Sequence, residues 1–398
     1  MDVSNAFLHG NLQEEVYMQY PPGFETNKQN HVLKLNKTLY GLKQAPKAWN
    51  KKIDNFLKSL EFIPCQRNKC LYCFISDSKT ITYILLYVED LILAGSDLNV
   101  LNKTKTALKH KFNMKDLGDL HCFLGIKIQR GSEGMTLSQT TYIEKLLQRF
   151  GMQHCSPSKT PIEVKPPDRD VTLPTIINDK PYRELIGCFM HLMLATRPDI
   201  CYAVAYHSRF QSDANETDWK SLKRILKYLQ GTKDHVLIYP KDCTTAISAF
   251  ADTDWGNSVD RKSTSGFVVK IFGATVTWGS RKQRVTALSS TEAEFVALAT
   301  ASCEVMWLKT LLDEMKIDSQ IPNIYEDNQL CIRSVSVWNS KRLKYIDIKY
   351  NFIRDLEHSK SVNLLYVSSE DQIADIMTKS LSIEKFCKFK YLLCILSL

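Results

Sequence analysis

Four acidic residues in the last 150 positions stand where chemistry is feasible: Asp252, Glu294, Asp327 and Asp375. Asp252 closes a strand-like run, Glu294 opens a long helical stretch, Asp327 ends a further strand, and Asp375 falls in a final helix. Ends of this kind meet at one rim of a mixed sheet, so the four carboxylates can converge. Left bare, that much like charge is prohibitive. With two divalent cations about 3.5–4 Å apart it becomes a phosphoryl-transfer site. Ligation by oxygen alone favours Mg²⁺ or Mn²⁺ over zinc. Acids at strand ends are also common on ordinary surfaces, so spacing leaves solvated carboxylates as the other reading.

The elements that must position these groups are legible in outline. From residue 247 the pattern predicts strands over 247–252, 266–272 and 274–278, then a helix over 291–315. Ser289 and Glu292 form a capping-box pair at that helix start. A strand at 323–326, a helix, a strand at 362–367 and a helix at 370–379 complete the order β-β-β-α-β-α-β-α, which implies a mixed sheet with flanking helices. Upstream, residues 83–93 (YILLYVEDLIL) read as a β-hairpin turning at Glu89-Asp90. Residues 101–112 have helical spacing, Gly118 stops them, and 123–129 reads as a strand.

Six of the 13 prolines fall between Pro157 and Pro181, marking a connector that is neither regular helix nor central sheet. Residues 182–210 and 218–231 follow as helices. In the second, Trp219, Leu222, Ile225, Leu226 and Leu229 make one apolar face, while Lys220, Lys223, Arg224 and Lys227 share the other. That basic side reads as solvated surface, with phosphate contact as the alternative.

Composition sets the outer limits. The chain has 398 residues, 44% hydrophobic, 24% charged and 10% aromatic, which excludes disordered, collagen-like and coiled-coil classes. Two or three domains fit that length. A net charge of +9 permits a nucleic-acid partner without demanding one. Twelve cysteines in so long a chain, with no signal peptide, read as reduced thiols of a cytoplasmic or nuclear protein. Cys65-x4-Cys70-x2-Cys73 mimics an iron–sulfur spacing, but no fourth cysteine lies near and a buried strand is the simpler reading. The apolar stretches at 81–88 and 386–398 fall short of the roughly 20 residues a bilayer requires, so no membrane span is expected. The apolar tail 386–398 is either a docked last helix or an accidental read-through.

The words around the acids narrow the choice. ADTDW (251–255), RKSTSG (261–266), TWGSRKQ (277–283), ALSSTEAEF (287–295), YEDNQ (325–329) and ADIMTKSL (374–381) closely resemble the ribonuclease H domain of copia-type LTR retrotransposon Pol polyproteins. The resemblance places that family's metal-binding acids on Asp252, Glu294, Asp327 and Asp375. It implies two Mg²⁺ or Mn²⁺ ions and cleavage of the RNA strand of RNA–DNA hybrids. Asp254, Glu292 and Glu326 read as solvated or structural, and Lys282 and Arg284 as contacts to the hybrid's phosphates or as solvated surface. Relatives carry histidines where this chain has Ser340, Tyr345 and Asn351, a departure that leaves the four acids untouched.

The N-terminal part resembles the same family's reverse transcriptase. MDVSNAFLHG (1–10) is similar to its first catalytic motif, with Asp2 as metal-binding acid. LYGLKQAPKAW (39–49) resembles the segment that contacts template and nucleotide, including Gln44, and LLYVEDLILAG (85–95) the hairpin with the second acidic pair, Glu89 and Asp90. The family hairpin reads Tyr-Val-Asp-Asp. Glu89 adds one methylene, which displaces a metal-binding oxygen by roughly 1 Å, and such misplacement costs on the order of 100-fold in rate. FLGIKI (123–128) fits the primer-side strand, and segments 182–204 and 221–232 fit the stretch joining polymerase to nuclease.

The expected fold class is α/β (α+β): a partial palm at 1–150 lacking fingers, a Pro-rich linker at 151–181, a helical connection at 182–240, a ribonuclease H-like domain at 241–385 and an apolar tail at 386–398. Asp2, one residue from the start, is expected on a frayed terminus. The expected partners are RNA–DNA hybrid and single-stranded nucleic acid, with no membrane and with further polyprotein parts outside this chain. Hybrid hydrolysis is the activity expected to be retained and polymerisation the one lost. The competing reading is a decayed or co-opted remnant that only binds nucleic acid.

Overall fold

The computed structural model describes residues 1–24, 31–76, 79–164, 172–177, 179–241, 247–256, 260–336 and 347–397. Ser340 and Tyr345 lie outside them, as does part of the Pro-rich connector. The chain forms two compact units, Met1–Leu120 with Glu314–Lys316, and the remainder.

The first unit is a helix-backed antiparallel sheet. Its elements are β1 (Asp2–Val3), α1 (Ala45–Ser59), β2 (Ile63–Pro64), β3 (Leu71–Ile75), β4 (Ile81–Tyr87), β5 (Asp90–Gly95), α2 (Leu98–Lys111) and β6 (Met114–Lys115). The strand order is β2-β3-β4-β5-β1-β6. Trp49, Ile53 and Leu57 recur at helical spacing on α1 and pack with Tyr72, Ile84, Leu86 and Leu91 of the sheet. The β4–β5 hairpin turns at Val88-Glu89, one residue earlier than the sequence suggested, because Tyr87 pairs with Asp90. Val88 takes a positive φ of 52° to close that two-residue turn.

Asp2 is not frayed. It pairs with Asp90 on one side and Lys115 on the other, and the N-terminal amine donates to the Leu91 carbonyl at 2.8 Å. Two flanking strands pin a strand that sequence position alone would leave loose. Cys65 and Cys73 are buried free thiols with their sulfurs 3.7 Å apart, and burial pushes the Cys73 thiol up to about 12.

The second unit begins earlier than residue 151. Its elements are β7 (Cys122–Phe123), β8 (Ile126–Gly131), β9 (Gly134–Ser138), α3 (Thr140–Arg149), α4 (Tyr182–Ala195), α5 (Cys201–His207), α6 (Glu216–Gly231) and β10 (His235–Pro240). The 123–129 strand is broken by a tight turn at Leu124-Gly125, both with positive φ, and 182–210 is broken at Pro198. Strand β9 pairs with β10, which draws the 121–149 segment into this unit.

The rest of the unit follows: β11 (Ile247–Asp254), β12 (Thr264–Ile271), β13 (Ala274–Lys282), α7 (Ser290–Glu314), β14 (Asn323–Glu326), α8 (Gln329–Ser336), α9 (Asp347–His358) and β15 (Asn363–Tyr366). A short 3-10 turn, Ile373–Met377, then α10 (Ile383–Leu392) and β16 (Ile395–Ser397) end it. The five-stranded sheet runs β13-β12-β11-β14-β15, antiparallel through β11 and parallel beyond it. Alternation divides its two faces. Ile247, Ala249, Ala251, Phe267 and Val269 meet α7, α8 and α9, while Val268 faces the second core with α4, α5 and α6.

Helix α7 is long and apolar enough to cross a membrane by length and composition, a stretch the sequence reading passed over. Phe295, Leu298, Ala301 and Val305 on it are buried against the sheet. Arg197 and Asp199, both buried, form a bidentate ion pair that also binds Thr232 and the Tyr228 hydroxyl, joining the α4–α5 corner to α6.

The apolar tail is docked. Phe386, Phe389, Leu393 and Ile395 are buried in the α4–α6 core, and β16 pairs with β10 at the edge of a second sheet. The spacing 386, 389, 393 is one helical face. Phe389→Ala removes a fully buried ring and is expected to cost about 3–5 kcal/mol in urea unfolding. A loss below about 1 kcal/mol would contradict a structural role for the tail.

Candidate metal centre

Asp252 sits on β11 opposite Gly266 of β12, at the strand end where the sheet meets the 3-10 turn. Glu294 lies in the first turns of α7, and Asp327 follows β14. One oxygen from each of these three acids lies within 4.8 Å of the other two, the one such group among the described residues. Asp252 and Glu294 are buried, and Asp327 is half-buried. The expected convergence therefore involves three elements and three of the four acids.

Asp375 is buried in the neighbouring 3-10 turn, not in a regular helix, and is held differently. Lys379 Nζ lies 2.7 Å from its Oδ1 and Lys385 Nζ 2.8 Å from its Oδ2, so both oxygens are engaged by ammonium groups. Lys379 also reaches to 3.6 Å from Asp252 Oδ2. The Thr378 hydroxyl donates to the same Asp252 oxygen. Lys379 is thus a built-in counter-ion for two acids, and its own pKa is raised by Asp252 and Asp375 against the effect of burial.

Close packing makes this geometry. A Cβ on Gly266 would stand 2.6 Å from Met377 Cβ and from Thr378 Cγ2, so only glycine lets the 3-10 turn lie on the sheet beside Asp252. Gln372 Nε2 donates at 2.8 Å to the Ala251 carbonyl and anchors the turn from its other end. Gln283 Nε2 lies 2.8 Å from Ser265 Oγ and 2.9 Å from the Ala293 carbonyl, tying β12 to the helix start just before Glu294. At that start the Ser289 hydroxyl accepts from the Glu292 N–H at 3.2 Å, while the Glu292 carboxylate accepts from the Leu288 N–H at 2.5 Å. Glu292 therefore caps the helix start, through the Leu288 N–H rather than the Ser289 N–H that a capping box uses.

Glu326 is not solvated. It is fully buried beside the cluster, accepts from the Asn328 N–H at 3.1 Å through Oε1, and leaves Oε2 with no partner. Glu294 Oε2 is likewise buried without a partner. The signal was available: Ile324 and Glu326 are two residues apart on one strand and so share its buried face.

Desolvation dominates the electrostatics. Burial holds Asp252 up at about 7, against the pull of Lys379 and the Thr378 hydroxyl, with the Asp375 and Asp327 charges adding to the rise. Burial and then Glu326, Asp252 and Asp327 push Glu294 well above the usual carboxylate range. Burial and then Asp327 and Asp252 do the same to Glu326, against hydrogen bonds from the Asn328 and Asp327 backbone. Two buried carboxylate oxygens without donors, in an all-oxygen set, fit a hard divalent cation such as Mg²⁺ or Mn²⁺.

Next to this part of the sheet, Arg281, Lys282, Arg284 and Lys349 line an open cavity of about 460 Å³. Arg284 is exposed, while Lys282 is partly neutralised by Asp260 at 2.8 Å.

In the first unit the acids are less well gathered. Asp2 and Asp90 face each other across the ladder, and burial with the Asp2 charge raises the Asp90 pKa. The Glu89 carboxylate accepts from the Tyr40 hydroxyl. Gln44 lies at the start of α1 in a separate polar cleft of about 370 Å³ with Lys47, Lys51 and Lys52.

Residues 1–164 match the family of reverse transcriptases (RNA-dependent DNA polymerases). The chain is 37% identical over 98% of its length to the retrovirus-related Pol polyprotein from transposon TNT 1-94 of Nicotiana tabacum, and 39% identical over 98% to that from transposon RE1 of Arabidopsis thaliana. It spans 30% and 27% of those two relatives. It is also 35% identical, over 77% of its length and 100% of the relative's, to a putative transposon Ty5-1 protein of Saccharomyces cerevisiae. Among solved structures, LC11-RNase H1 in complex with RNA/DNA hybrid aligns with 33% of this chain and 93% of that one, at 18% identity and a TM-score of 0.27.

The three raised acids bind protons more tightly folded than unfolded. Their contribution to stability is complete below about pH 4, the unfolded value, and the Asp252 share of it is lost as pH rises through about 7, where that group titrates. Metal-free protein is therefore expected to show a Tm that falls between pH 5 and 8. Glu326→Gln removes one buried titrating carboxyl from the cluster and should make that fall in Tm shallower. Thermal scans in chelator check both, and a flat pH profile would contradict the electrostatic account.

Proposed function

The chain belongs to the copia-type retrotransposon Pol polyproteins, and from that premise we propose that its second unit hydrolyses the RNA strand of RNA–DNA hybrids with a divalent cation. The observation that carries this reading is the convergence of Asp252, Glu294 and Asp327, with an unpartnered buried oxygen on Glu294. When bound, the cation supplies Lewis acidity toward the phosphodiester and offsets the charge of the carboxylates.

The chain's own residues do the rest. Asp252, Glu294 and Asp327 hold the cation, and Ser369 Oγ fixes the Asp327 carboxylate at 2.6 Å. Thr378 and Lys379 orient Asp252 and temper its charge, so that the cluster survives in the fold before any cation arrives. Arg281, Lys282 and Arg284 give the neighbouring cavity a positive lining suited to backbone phosphates. Asp375 enters the same network through its two lysines, and a role as cation ligand requires Lys379 or Lys385 to swing away.

For the first unit the proposal is that polymerisation is lost in this chain alone. Glu89 stands where the family hairpin carries aspartate, and its carboxylate is taken up by Tyr40.

The test uses the purified chain, Mg²⁺ or Mn²⁺, and an end-labelled RNA–DNA hybrid, with primer extension on the same preparation. The expected result is hybrid cleavage that falls at least about 100-fold in Asp327→Asn, with no extension. Cleavage that persists in Asp327→Asn, or none in either metal, would overturn the nuclease assignment. Robust extension would overturn the assignment for the first unit.

A further inference from the structure

The basic face of α6 closes over a pocket of about 230 Å³ lined by Ile162, Glu163, His207, Lys220, Arg224 and Lys227. Lys220, Arg224 and Lys227 recur at i, i+4 and i+7, which sets three cations along one side of the helix. Lys223 lies apart from them, 5.7 Å over the Trp219 ring. Against these three cations the pocket lining holds one acid, Glu163.

Two buried nitrogen groups in this lining lack acceptors. His207 is 2% exposed and neither ring nitrogen has a hydrogen-bond partner. Burial keeps the imidazole neutral, with its pKa lowered to about 3, so one of those nitrogens is an N–H donor. Arg224 donates to Glu163 at 3.1 Å and to Thr160 Oγ at 3.2 Å through its two Nη atoms, while its buried Nε has no partner. Unsatisfied buried donors are costly and call for a partner. A tetrahedral oxyanion offers acceptors in several directions at once, and the volume admits one.

The pocket also shares a wall with a small cavity beside Lys379, the counter-ion of Asp252. Ile162 lines both this pocket and the small cavity formed with Lys379 and Ser380, and Ser380 Oγ donates to the Val164 carbonyl at 2.7 Å. An anion held here is therefore next to the segment that carries Lys379. That neighbourhood favours a phosphate belonging to the same polymer over a free ion.

We propose that this pocket binds a backbone phosphate of the nucleic acid whose scissile bond lies at the carboxylate cluster. The inference rests on the hybrid-cleavage reading. It makes α6 a second grip on the substrate, independent of sequence because it reads only the backbone.

Hybrid binding is measured with the full chain carrying Asp327→Asn in Mg²⁺, over a series of KCl concentrations. Lys220 and Lys227 are exposed, so their replacement by Gln leaves the fold intact. Each single change should weaken binding several-fold at low salt and reduce the slope of log K against log[KCl] by about 1. Lys223→Gln, on the same helix outside the pocket, should change the slope by less than half as much. Unchanged slopes in Lys220→Gln and Lys227→Gln, or an equal effect from Lys223→Gln, would overturn the pocket. A second arm titrates inorganic phosphate: affinity lost in Lys220→Gln with hybrid binding unaffected would assign a free-anion site instead and also overturn it. If the unsubstituted chain binds no hybrid at all, the cleavage reading fails too. Hybrid binding that ignores both lysines sinks this inference alone.

Discussion

Asp252, Glu294 and Glu326 are almost wholly removed from water at one rim of the sheet, and Asp327 stands half-buried beside them. Bringing buried like charges together is among the most costly arrangements a fold can hold. The chain meets the cost in two ways. Lys379 and Lys385 neutralise the Asp252–Asp375 side. On the Glu294–Glu326 side burial raises both pKa values, which favours the protonated, uncharged carboxyls.

Much of the surrounding architecture follows from that constraint. Gly266 clears the space for the 3-10 turn, Gln372 fastens the turn to β11, and Gln283 fastens β12 to the start of α7. Lys385 comes from α10, whose apolar face is buried in the α4–α6 core. Docking of the C-terminal helix and electrostatic balance at the cluster are therefore one problem, since loss of α10 would remove Lys385 from Asp375.

Several parts of this arrangement were legible in the sequence for physical reasons. Strand and helix periodicity set Asp252, Glu294 and Asp327 at the ends of elements, where solvated carboxylates remained the other reading, and the resemblance of the words around them to a known family decided for convergence. The succession of strands and helices along the chain, and hence a mixed sheet, was legible from the same periodicity. Of the two readings left open for Glu326, solvated or structural, its two-residue spacing from Ile324 already pointed to the buried one. Lys379 and Thr378 as partners of Asp252 were illegible, because residues more than 120 positions apart leave no local pattern. The short 3-10 turn looked like a helix since its residues are apolar at helical spacing. Asp2 looked frayed because pairing on both sides of β1 comes from β5 and β6, far along the chain.

The account turns on carboxylates that hold protons until a cation replaces them. Calorimetric titration of Mn²⁺ into metal-free protein near pH 6.5, in two buffers of different ionisation enthalpy, reads that exchange directly. The account predicts that binding releases protons, that release shrinks toward pH 8.5, and that Asp252→Asn loses the binding. Mn²⁺ binding with no proton release, or binding undiminished in Asp252→Asn, would contradict it.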